Sequence, residues 1–151
     1  MKFLFFNLWL FMAFFSTYSF AVPQMKSVEQ ILNAENTPAT RLLVMQRCSA
    51  LYLTAANISD TRNDAKHIAK ELEDVANFFG ILAIQFSKKD SNLRDLSVDG
   101  NADAILRMHS AYMDDAENAR ALSGNYTDGI MKTDLPACKA LYDGAQSLTN
   151  N

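Results

Sequence analysis

Apolar residues recur at helical spacing in four long stretches of this chain, and no stretch alternates convincingly as a strand would. In the first, Val44, Cys48, Leu51, Ala55 and Ile58 form one stripe, flanked by Met45 and Tyr52. Thr37 is a good capping residue and Pro38 fits the first helical position, which predicts a helix from Pro38 to Ile58. Gln46, Arg47, Thr54 and Asn57 fall off the stripe and are expected on other faces. The second stretch sets Ile68, Leu72, Val75, Phe79, Leu82 and Phe86 in a heptad rhythm. Thr61-Arg62-Asn63-Asp64 signals its start, and Lys88-Lys89 sits past its end, where the helix dipole favours cations. Gly80 lies inside this helix at a propensity cost of about 1 kcal/mol against Ala, which points to close helix packing there.

After a connection over 87–100, a third helix is predicted from Ala102 to Leu122, striped by Ile105, His109, Tyr112, Ala116 and Ala119 and closed by Ser123-Gly124. The last helix carries Leu135, Cys138, Leu141, Tyr142, Ala145 and Leu148 on one face. Upstream, Ser27-Val28-Glu29-Gln30 is a capping-box pattern that predicts a short helix over Val28 to Leu32. The expected fold is all-α: an up-down-up-down four-helix bundle over 37–151, with 22–36 as a short N-terminal helical arm.

Two cysteines sharpen this picture. Each opens the same run, Cys-x-Ala-Leu-Tyr, at 48–52 and at 138–142. Cys, Leu and Tyr at i, i+3 and i+4 share one helix face, so both runs read as core faces. In an oxidising compartment Cys48 and Cys138 are expected to pair, stapling the first and last helices. If those helices run oppositely, the staple requires Asp128 to Thr133 to be helical or turn-like. A break or kink is then expected near Pro136, whose ring clashes with the carbonyl of Lys132.

The compartment follows from the leader, MKFLFFNLWLFMAFFSTYSFA. Lys2 is a positive start, Phe3 to Phe15 is almost wholly apolar, and Ser19-Phe20-Ala21 is a small-x-small cleavage site. That is the layout of a signal peptide over 1–21, and its apolar run is too short for the roughly 20 residues of a membrane span. A secreted or periplasmic protein is expected, with no membrane span after cleavage. Its length of 151 residues suits one domain once the leader is gone. Fourteen basic against 17 acidic side chains give a net charge of −3, and no basic stripe is present for nucleic acid. Asn57-Ile58-Ser59 and Asn125-Tyr126-Thr127 are glycosylation sequons that matter only in a eukaryotic secretory host.

Candidate chemistry is thin. The chain has no HExxH, GxSxG, P-loop, CxxC or CxxCH motif, so a non-enzyme is expected. Asp95, Ser97, Asp99, Gly100 and Asp103 resemble positions 1, 3, 5, 6 and 9 of an EF-hand calcium loop. Position 12, which should supply a bidentate Glu, is Leu106, so a turn with Asn101 capping the third helix is the better reading and any calcium would bind weakly. His109 lies near Met108 and Met113, a set that could hold copper or a haem, although methionine is ordinary core filler. Asp64, His67 and Glu71 share a helical face without a second ligand helix. Asp114, Asp115 and Glu117 make an acidic turn that reads as a solvated face. The reading that remains is a non-catalytic interaction or inhibitor module that binds a protein partner or a second copy of itself. The 87–100 connection and the 22–36 arm are its expected recognition segments. The rival from another class is a metal or haem carrier built on His109 and the nearby methionines.

Overall fold

The structure, a computed structural model, describes residues 25–93 and 98–149. Five α-helices and one short 3-10 helix make up the regular structure of these residues: α1 Val28–Ala34, α2 Pro38–Asp60, α3 Lys66–Lys89, α4 Val98–Ser123, the 3-10 helix Tyr126–Asp128, and α5 Met131–Thr149. The expected caps form as drawn. Ser27 and Gln30 close a capping box on α1, and the Thr37 hydroxyl accepts from the Thr40 N–H ahead of Pro38. The start of α3 differs. Its helix begins at Lys66, and Asp64 pairs instead with Arg62 at 2.8 Å in the preceding turn.

α2 is the centre of the molecule. Leu42, Val44, Cys48, Leu51, Tyr52, Ala56 and Ile58 are buried along it, and so are Gln46, Arg47, Ser49, Thr54 and Ser59. Gln46, Arg47 and Thr54, which fall on other faces than the apolar stripe, are thus buried as well. α3 covers one side of α2, α4 another, and α1 and α5 the remainder, so α2 has almost no outer face.

α3 meets α2 along a seam of small residues. Ala69, Ala76 and Ala83 are buried, whereas the flanking Ile68, Leu72, Val75, Leu82 and Phe86 are only half-buried. Small side chains let the two backbones approach, and Ser49 uses the gap to donate to the Ala76 carbonyl at 2.8 Å. A Cβ at Gly80 would stand 3.3 Å from the Ser49 Oγ, which is the close packing its sequence position suggested.

α5 is tied to several helices along its length. It starts beside α4, where the Ile130 N–H donates to Asp115 and Tyr112 donates to Asp134. It crosses α2 at Cys48–Cys138 and reaches α3, where Tyr142 meets Phe78 edge-on at 5.1 Å. Its contacts with α2 ascend together, 47 with 134 and 48 with 138, and Tyr52 and Tyr142 both lean on Phe79. α5 thus meets α4, α2 and α3 in turn along its length. Asp128 to Thr133 is helical or turn-like, as expected. α5 continues through Pro136 without ending there.

The disulfide is present, with its Cα atoms 5.5 Å apart. In the chain-entropy picture a bridge spanning 90 positions contributes about 4–5 kcal/mol by restricting the unfolded chain.

Candidate functional site

The most developed polar arrangement in the molecule is buried, and it gathers three helices on the N-terminal segment. Arg47 comes from the middle of α2, Tyr112 from α4 and Asp134 from the first turn of α5. Arg47 is 4 % exposed and the other two 0 %, so the cluster excludes water. The Arg47 Nη2 donates to Asp134 Oδ2 at 2.5 Å and to the Tyr112 oxygen at 3.0 Å, and Nε reaches that same oxygen at 3.2 Å. Tyr112 donates its own proton to Asp134. Burial, opposed by the neighbouring Arg47, pushes the Tyr112 phenol well above its ordinary range, so at physiological pH it is a neutral donor and not a base.

The remaining valences of the cluster turn outward, to main chain. Arg47 Nη1 donates to the Lys26 carbonyl, and Asp134 Oδ1 accepts from the Val28 N–H at 2.8 Å. That N–H belongs to the first residue of α1, where no intrahelical acceptor exists. The cluster thus reads one carbonyl and one amide of the chain two residues apart. Beside them Val28 and Ile31 enter the core.

Two further polar sets are also structural. Gln46 donates to Asn101 at 2.9 Å, and Asn101 donates to Ser87 at 3.2 Å, tying α2, α4 and α3 together. Asn101, expected as the cap of the third helix, is inside α4 and buried. At the third set, Thr54 donates to the Ala50 carbonyl at 2.9 Å, which leaves its oxygen to accept from His109 Nδ1 at 2.8 Å. His109 Nε2 then accepts from the Asn57 amide at 3.1 Å. Both ring nitrogens are engaged in a neutral tautomer, and partial burial holds the His109 pKa below its ordinary value. Among the described residues every buried side-chain nitrogen and oxygen has a partner.

No family model, curated protein or solved structure matches this chain.

The sequence-derived candidates are scattered by the fold. Asp95 and Ser97 lie outside the described residues. Asp99 and Asp103 stand in the first turns of α4, which begins at Val98, so this part of the proposed calcium loop is helix. The helix dipole favours Asp99 there. Met108 and Met113 are half-buried against the core, and His109 between them faces Thr54 and Asn57. Asp64, His67 and Glu71 do not form one helical face, because Asp64 precedes α3. Among the described residues no group of three or more His, Cys, Asp or Glu is placed to hold a metal.

The acidic turn needs a partial correction. Asp114 and Glu117 are exposed, but Asp115 is half-buried and accepts from the Ile130 N–H at 2.7 Å. Gly129 makes room for it: a Cβ there would fall 1.9 Å from Asp115 Oδ2. Asp115 thereby caps the approach to α5, on the wall of an open groove of about 970 Å³ that Met25, Asp114, Glu117 and Asp128 also line.

Sequence reasoning missed Arg47, Tyr112 and Asp134 as a unit. The signal was present. Arg47 adjoins Cys48, and Asp134 lies one turn before Cys138, so pairing the cysteines carries two opposite charges into the same core.

Proposed function

We propose that this is an exported, non-catalytic interaction module of the cell envelope or extracellular space, secreted or periplasmic once the 1–21 signal peptide is removed. One observation carries the reading. The three polar sets that could have made a reactive centre use their hydrogen bonds to fasten helices to one another. What is left for recognition is surface. Ile81 on α3 and Val98 and Leu106 on α4 are each about half exposed. The 87–100 segment favoured from the sequence joins these two helices, shortened because α3 runs to Lys89 and α4 starts at Val98. The disulfide fits an oxidising compartment, and no helix among the described residues is long and apolar enough to cross a membrane.

Purification from the native host under mild conditions tests the proposal. A colourless, metal-free protein is expected to copurify with a partner or as a self-associated species. Replacing Ile81 and Leu106 by Asp should abolish the association and leave the helical signal intact. Visible absorbance or stoichiometric copper or iron, lost on His109→Ala, would overturn it in favour of the carrier.

A further inference from the structure

The buried cluster holds the N-terminal segment by main chain and does so beside the disulfide. Arg47 immediately precedes Cys48 on α2, and Asp134 lies one turn ahead of Cys138 on α5. The two groups that grip the Lys26 carbonyl and the Val28 amide therefore ride on the same pair of helices as the two sulfurs. Val28 and Ile31 belong to the same core cluster as both cysteines, and both cysteines are fully buried. The linker that follows the segment is held by the start of α2, where Arg41 donates to Asn36 at 2.8 Å. Residues 35–37 between α1 and α2 are exposed, and Glu35 and Thr37 have extended backbone.

We propose that residues 25–34 form a strap whose docking and the Cys48–Cys138 bond stabilise each other, so that reduction releases the strap and displacement of the strap opens the bond to reductant. The physical basis is the geometry that a buried ion pair demands. Arg47 and Asp134 stay dry only while α2 and α5 are held in register, and only then are their outward valences aimed at residues 26 and 28. Breaking the S–S tether frees α5 to shift, and the pair gains water in place of the strap. Conversely, Val28 and Ile31 share a core cluster with the fully buried sulfurs, so departure of the strap opens that cluster to a thiol. The reductant in the test is a dithiol. It closes to a cyclic disulfide, its two electrons break the Cys48–Cys138 bond, and its two protons leave both sulfurs as thiols.

Two rates in the full exported chain decide the matter: reduction by dithiothreitol, followed by thiol labelling, and protease cleavage within 32–37. Val28→Asp, which disturbs the strap and leaves Arg47, Asp134 and the cysteines in place, should speed reduction about tenfold, an ordinary coupling between linked sites. The milder Ile31→Ala should move the rate in the same direction, and Glu29→Gln, on the exposed face of α1, should leave it unchanged. In the unaltered protein, reduction should accelerate cleavage within 32–37 while the far-ultraviolet helical signal is largely kept. Equal reduction rates in all variants would overturn the proposal. So would cleavage indifferent to reduction, or collapse of the whole helical signal on reduction.

Discussion

At the scale of single residues the charges divide sharply by burial. Arg62 and Asp64 form an exposed pair that solvent screens, so Arg62→Ala should leave the urea midpoint nearly unmoved. Arg47–Asp134 is the opposite case. Asp134→Ala leaves a buried guanidinium without its carboxylate and should cost about 3–5 kcal/mol in urea unfolding, whereas the paired change Arg47→Met with Asp134→Leu should cost less than Asp134→Ala alone. His109 sets a pH dependence of known sign. Its native pKa lies below the ordinary 6.5, so the unfolded chain binds more protons near and below that pH. The stability His109 contributes is complete above 6.5 and is lost as pH falls from there through its native pKa. Denaturation midpoints between pH 5 and 8 should show this slope, and His109→Gln should flatten it. None of these roles could be assigned from residue type, because burial of an Arg or a His depends on what packs over it.

At the scale of elements, glycine positions separate close packing from free surface. Gly80→Ala sets about 1 kcal/mol of gained helix propensity against a 3.3 Å approach to Ser49, and the two should nearly cancel. Gly80→Leu cannot be absorbed and should destabilise by about 1–3 kcal/mol, through overpacking of the α2–α3 seam. Gly129→Ala must expel Asp115 from the Ile130 amide, and a lost cap of that kind is worth about 1 kcal/mol in thermal or urea unfolding. Helix existence, the Ser27 and Thr37 caps and the buried face of α4 were legible, since capping and periodicity are local. The start of α4 was not. Asp99-Gly100 is an ordinary turn signal, yet the residues after Val98 are drawn into helix by the burial of Asn101 against Gln46 and Ser87.

At the scale of the whole molecule the disulfide is the largest single constraint. Replacing both cysteines by Ser should lower unfolding free energy by about 4–5 kcal/mol, a large part of the 5–15 kcal/mol typical of such a domain, and leave a marginal but helical protein. Differential denaturation of the oxidised and Ser-substituted chains checks it. By itself the sequence determined the helical class, the pairing of Cys48 with Cys138 and the turn-like start of α5, because spacing, capping chemistry and a single possible partner for each thiol are properties of the chain. It could not determine that α5 crosses α2 from α4 to α3, or that α2 is enclosed by the other helices. An amphipathic stripe reports one buried face, and a helix enclosed by its neighbours hides its polar residues as well. Gln46, Arg47 and Thr54 look like outward residues until Asn101, Tyr112, Asp134 and His109, all more than fifty positions away, supply the hydrogen bonds that let them be buried. Only the tertiary structure brings those partners together.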